Sequence, residues 1–507
     1  MTAKEMPLIL DNDIPMQLDG VADVADVGDV GDVDDLFGDT AASLPNLQPA
    51  NRHLDRRVEL LRNRGCWQTI AWSRVGTIAS ITPDGQQLEF RFLRCRPANG
   101  EWELSEPTVC SLVHGSLEYP LVHLEWANTN NPELAIVDAG GRVAILLFST
   151  TLTHPFSVRK WDADPIDELQ SLAGCYWLPV AASTPSTSSV AAPAGNRQSY
   201  NVMFGPATKT PSGSYHYESS FMHAEAPSHP LQARTALLTV SVGGTLKMLF
   251  MQLNNKMEEV SMELECLSTA DDIVTHAAFA AEKKHLILAL ATSTRQLKFV
   301  KVEIQWGPQP GKTGGPQNAR FNATLNAKHC AVTSWPIDSA DDPSTSPISN
   351  LVAFPSILDN TGKNTAPPLI IAVRTQAQPG AFGASQTIID RWEAVEQQRH
   401  PLHPVFEQLG RRNSISSDST PGLCLKPLES TILSKTVIGL QTAHFGKLII
   451  LTMSDGTVEY RDRFTFEELF TDQDTSTLLS LRQVGWTFAD DGPCTLPMFK
   501  LVDVLSN

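Results

Sequence analysis

The sequence predicts an all-β protein, a WD40-like β-propeller of about seven blades with the last incomplete. Short apolar runs recur in pairs, joined by tight polar turns. A short aromatic strand precedes most of these pairs. Pro and Gly number 34 and 31 in 507 residues, a punctuation too frequent for a coiled coil or a long-helix protein.

The chain opens on an acidic leader, residues 1–48, which the pattern predicts to be disordered. Residues 1–50 hold ten Asp and one Glu against one Lys, so −10 of the net charge of −17 lies in a tenth of the chain. From Val21 to Val33 Asp returns every third residue, a period matching neither strand nor helix, and too little apolar surface is present to offset the ordering entropy. Leu36 and Phe37 stand among acidic residues at its end, a pattern of disordered docking motifs, and form a candidate partner-docking site.

Residues 49–65 form a short helical linker. Leu54, Val58 and Leu61 fall at i, i+4 and i+7, and Gly65 fits just past the helix end. Arg56, Arg57, Arg62 and Arg64 give it a basic face, expected to be solvated and drawn towards the acidic leader.

The propeller is placed at 66–494. Its first hairpin is Ile78–Ile81, Thr82–Gly85 and Leu88–Leu93, with clean alternation at Leu88, Phe90 and Phe92. The same order returns at Leu134–Leu146, Leu237–Phe250, Leu286–Val302 and Leu448–Tyr460. A further copy, Leu369–Val373 with Thr387–Trp392, is split by a Gly- and Gln-rich loop at 376–386. Asp-Gly and Gly-Gly supply the positive φ that tight hairpins need. Upstream aromatic strands carry Trp72, Trp126, Phe279 and Phe354, expected to be buried at equivalent blade positions. A β-sandwich would not reuse this order six times. A seventh unit begins at Val484–Phe488. Residues 495–507 form a divergent tail without a hairpin turn, read as the end of a truncated or alternatively terminated product whose exposed edge favours aggregation. Polar, Pro-rich insertions fall near 181–199, 307–319, 338–347, 376–386 and 408–423.

Little in the sequence carries chemistry. Gly307–Thr313 resembles a phosphate-binding loop, but three residues rather than four separate its glycines, and Pro308 and Pro310 remove amide donors. His400 and His403 lie in a Pro-containing segment that cannot pair them on a helix, and Asp271–Asp272 and Asp341–Asp342 read as solvated turns. Eight scattered cysteines without a C-x-x-C pair read as buried reduced thiols. No catalytic residue, cofactor or metal site is expected. Arg411 and Arg412 precede Ser414 at the spacing a basophilic kinase reads, so Ser414 is a candidate phosphorylation site.

Gly65–Ser73 with Gly76–Ala79 resembles the first blade of the fungal Mediator of RNA polymerase II transcription subunit 16 family. The acidic stretch Asp34–Gly38, Thr387–Glu393 and Ser454–Arg463 extend the likeness, which covers about residues 30–493. The resemblance implies a non-enzymatic nuclear subunit of the Mediator tail module, a transcription coregulator linking gene-specific activators to RNA polymerase II. Its partners would be other tail-module subunits and activators, with the polymerase reached indirectly, no direct nucleic acid and no membrane. The rival readings are a WD40-type scaffold in trafficking or ubiquitin ligation, and a propeller hydrolase.

Overall fold

In a computed structural model the structure describes residues 58–469, apart from internal segments of which the longest are 180–199, 308–319, 336–346 and 398–421. The leader with Leu36 and Phe37, Ser414, His400, His403, Asp341–Asp342, the Val484–Phe488 unit and the 495–507 tail all lie outside the described residues.

Each of the six hairpins lies at the heart of its own antiparallel sheet. Blade one pairs Ile70–Trp72, Thr77–Ile81 and Leu88–Cys95 in that order, with Trp102–Leu104 and Thr108–Val109 both on the third strand. Blade two runs Leu121–Trp126, Glu133–Asp138, Val143–Leu147 and Phe156–Arg159. Blade three runs Leu172–Trp177, Ala236–Ser241, Thr245–Met251 and Met257–Glu263. Blade four is Val274–Glu282, His285–Thr292, Gln296–Gln305 and Thr324–Ser334. Blade five is Ile348–Phe354, Leu369–Ala377, Ser385–Gln397 and Gly422–Pro427. Blade six is Val437–Ala443, Leu448–Met453 and Val458–Asp462. Its chain then folds back, and the Leu469 amide donates to the Tyr460 carbonyl at 2.8 Å.

The first strands of successive blades meet one another and line the axis. Blades two to five bury both faces against their neighbours, which explains the apolar runs of their second strands. Leu134, Ile136 and Trp126 pack towards blade one, while Ala135, Val137 and Ile145 pack towards blade three. Burial of this kind is worth roughly 25 cal/mol per Å² of apolar surface, so the inter-blade seams dominate stability.

The ring departs from the expected pattern in several places. Six blades stand among the described residues, not about seven: the expected seventh rested on one aromatic strand without a hairpin behind it. The loop expected at 376–386 is shorter, because its ends continue the ladder, with Gln376 opposite Gln386 and Ala377 opposite Ser385. Trp126, Phe279 and Phe354 are buried, whereas Trp72 is only half-buried. Trp72 faces away from blade two, towards which its neighbour Ala71 packs. Phe354 lies one residue out of register with the others. Phe279 packs towards the preceding blade, whereas Phe354 packs towards the following one and Ala353 takes the backward-facing place.

Candidate functional site: one end of the ring and its first blade

The helical linker is not a free basic arm. Residues 58–63 are helical, with Val58 and Leu61 buried. They lie over the end of the ring at which the first strands begin. The Arg62 Nη2 donates to the Thr375 carbonyl of blade five at 2.6 Å, and the Arg64 Nη1 donates to the Ala139 carbonyl of blade two at 2.6 Å. His276 of blade four donates from Nε2 to the Leu61 carbonyl at 2.9 Å, capping one of the orphan acceptors at the helix end. Burial pushes the His276 imidazole down to about 4, so it stands there as a neutral donor.

Beyond the helix the linker threads the inner strands. The Gly65 amide donates to the Thr275 carbonyl at 3.0 Å. A Cβ on Gly65 would collide with the Ala173 carbonyl oxygen of blade three and press on the His276 backbone. The glycine expected to end a helix therefore also lets the chain pass between blades three and four. Gln68 then bridges to His123 of blade two, and the chain enters blade one. Arg62 and Arg64, expected on a solvated face, are instead spent on backbone carbonyls, because arginine donors can satisfy strand-end acceptors that water would otherwise hold, while Arg56 and Arg57 lie outside the described residues.

Other polar groups are structural. Asp272, expected in a solvated turn, is buried and accepts from the Ser293 hydroxyl at 3.0 Å and the Thr294 amide at 3.2 Å, closing the blade-four hairpin. Asp390 and Arg374 form a buried ion pair at 2.5 Å, and Ser430 donates to the same carboxylate at 2.7 Å. Glu282 of blade four accepts from the Ser356 amide of blade five at 2.5 Å. His229 of blade three is buried beside the Trp306 and Phe321 rings, with Nε2 donating to the Met251 carbonyl at 3.0 Å. Burial pushes it down to about 4 as well. Cys66 and Cys110 are buried as expected of reduced thiols, but Cys95 is exposed. Gly307 has φ of 69°, and the residues that follow it, 308–319, lie outside the described residues.

Among the described residues, His123, Glu125 and Cys175 bring donor atoms within 4.8 Å of one another at the seam of blades two and three. Nothing in the sequence marks them, since 50 residues separate Glu125 from Cys175 and neither belongs to a ligand motif.

The outer surface is uneven. Of twelve exposed large apolar side chains among the described residues, six belong to blade one and its loops: Ile70, Val75, Trp102, Val109, Leu112 and Leu117. Leu117 is 89% exposed. Such residues scattered singly are ordinary, but half of them in one sixth of a ring is a local excess. Among the described residues, no helix is long and apolar enough to cross a membrane.

Comparison with known proteins agrees with the likeness of the first blade. The family described as Mediator complex subunit 16, N-terminal, matches residues 181–491. Mediator of RNA polymerase II transcription subunit 16 of Aspergillus clavatus is 30% identical over 483 residues, covering 90% of this chain and 48% of that protein. The Neosartorya fischeri protein of the same name is 29% identical over 480 residues, covering 89% and 48%. That of Yarrowia lipolytica is 24% identical over 443 residues, covering 82% and 45%. The chain thus spans about half the length of the curated relatives it matches. With more than half of its residues inside the family match, the chain belongs to the Mediator complex subunit 16 family.

Proposed function

We propose that this chain is the propeller portion of a non-enzymatic nuclear Mediator subunit of the tail module, which helps link gene-specific activators to RNA polymerase II by protein–protein binding. The family match over residues 181–491 carries the reading. The architecture is consistent with it: a rigid ring whose polar groups are consumed in holding blades together, with an excess of exposed apolar side chains on blade one. Among them Trp102 is the kind of aromatic anchor that central interface positions favour. Leu36 and Phe37 are a second docking element. Phe37 stands 21 residues before Val58, a tether that reaches at most about 75 Å.

The test is affinity purification of the tagged chain from nuclear extract, followed by mass spectrometry. Mediator subunits are expected in the eluate, and their yield should fall when Trp102 and Leu117 are both replaced by Ser. An eluate of trafficking or ubiquitin-ligase components without any Mediator subunit would overturn the reading. Robust hydrolytic turnover removed by a single substitution would equally exclude a purely binding role.

A further inference from the structure

The inner strands of blades two and three carry a cluster that ring packing does not explain. In blade two, Leu124 and Trp126 point towards blade one, so His123 and Glu125 point the other way. Their cross-strand partners Val137 and Ala135 confirm the side, since both belong to the seam with blade three. Cys175 reaches into the same seam from blade three, together with Trp177. The Trp177 Nε1 donates to the Glu125 carbonyl at 3.1 Å, which pins the two strands together at this level. The result is a three-sided cradle of imidazole, carboxylate and thiol, with donor atoms within 4.8 Å of one another.

His123 is poorly satisfied for a buried ring. It is 8% exposed, and its Nδ1 has no hydrogen-bond partner. Its Nε2 lies 3.5 Å from Glu125 Oε2, beyond the usual 2.7–3.2 Å of a well-made hydrogen bond. An ion bound at Nε2 would supply the partner that this long contact lacks, while Nδ1 points away from it. Two ligand atoms bound at 2.0–2.3 Å to one tetrahedral ion stand about 3.3–3.8 Å apart, and the Nε2–Oε2 separation falls in that interval.

We propose that the seam between blades two and three is a zinc site, with His123, Glu125 and Cys175 as its protein ligands. A thiolate and an imidazole select a borderline transition metal over Mg²⁺ or Ca²⁺, which prefer all-oxygen shells. On binding, the Cys175 thiol releases its proton to solvent and the sulfur bonds the metal. The thiolate and the Glu125 carboxylate then balance the two positive charges of Zn²⁺, leaving a neutral site in an apolar seam. Burial holds the free Cys175 thiol protonated, so the metal must displace that proton. Cys66 is buried in the same seam but is not one of the residues whose donor atoms gather within 4.8 Å, so the fourth position is open to a water. The ion would staple blade two to blade three beside the axis.

The experiment titrates Co²⁺ into the reduced, purified chain. One Co²⁺ per chain is expected, with a thiolate-to-cobalt charge-transfer band in the near ultraviolet that Zn²⁺ removes by displacement. Cys175→Ser should abolish the band. His123→Gln should weaken binding by at least about tenfold, the scale on which even supporting residues act. Cys95→Ser, at an exposed thiol away from the seam, should change nothing. Absence of stoichiometric binding by the wild type overturns the proposal, as does an unchanged band in folded Cys175→Ser or a band lost in Cys95→Ser. Should Cys175→Ser fail to fold, zinc-edge X-ray absorption of the wild type decides. One sulfur neighbour near 2.3 Å supports the site, and a shell of nitrogen and oxygen alone refutes it.

Discussion

Arg374 and Asp390 face each other across the second and third strands of blade five, both almost fully buried. Truncating one partner strands the other charge in the core, so Arg374→Ala should destabilise the chain by about 3–5 kcal/mol. Chemical denaturation would read this as a lower midpoint at unchanged slope, and a midpoint equal to wild type would show that water reaches the carboxylate. Trp126 and Trp72 make a second comparison. The Trp126 indole donates to the Ala71 carbonyl at 3.1 Å and packs on Phe148. Trp126→Ala should cost about 3–5 kcal/mol, and Trp72→Ala clearly less because its ring is half-buried. Equal losses would mean that both seams are sealed alike. The sequence could not separate the two tryptophans, since each ends a short strand six to eight residues before a hairpin. What differs is the neighbour across the seam, and local pattern carries no record of it. Asp272 was illegible for the same reason: a carboxylate in a turn reads as solvated until Ser293 and Thr294 close over it.

Hairpins were the legible elements, because their signal is local: alternation, a turn residue with positive φ, and a partner strand a few residues away. Gly85, Gly141 and Gly244 do take positive φ in those turns. The first strand of blade three escaped, since Leu172–Trp177 pairs with a strand that starts only at Ala236. The inserted residues include a separate hairpin, Tyr200–Lys209 with Tyr215–His223, which hides the link. The docking of the linker helix escaped altogether, because its partners lie in blades two to five. Gly65→Ala should undock it: amide protection at residues 61–65 should drop while the blade hairpins keep theirs. Unchanged protection would mean that the passage between blades three and four is wider than described. The same contact is pH-dependent. His276 has a folded value near 4, below its ordinary 6.5, so the unfolded chain takes up its proton first as pH falls. The stability it confers is complete above about 6.5 and lost on the way down to about 4. Protection of the Gly65 amide, corrected for intrinsic exchange, should therefore decline between pH 7 and pH 5, and His276→Gln should flatten that decline.

At the level of the whole molecule, pH acts through opposing groups. His229 adds to the acid sensitivity of His276. Glu133 runs the other way: burial raises it to about 7, so the stability tied to its neutral form is present at low pH and lost as pH rises through 7. The melting temperature should consequently be flatter with pH than either histidine alone would make it, and Glu133→Gln should steepen its fall on acidification. A fall no steeper than wild type would show that Glu133 is more hydrated than its burial suggests. The family and its propeller were readable in the sequence because they rest on motifs and repeated hairpins. The candidate zinc cluster was not, because it exists only where two blades meet.

The helix that ties the ring together is made long before the parts it ties. Arg62 leaves the ribosome 313 residues ahead of Thr375, to which it bonds. At about 5–20 residues per second the interval is roughly 15–60 s of synthesis. For most of that time the Leu61 carbonyl lacks its blade-four donor, for all of it Arg62 lacks its blade-five acceptor, and the nascent chain carries Val58 and Leu61 as an unsheltered greasy stub. Birth of this ring is thus a waiting problem, and whatever holds the stub in the interim, a chaperone or the half-built arc itself, governs how much of the chain ever folds.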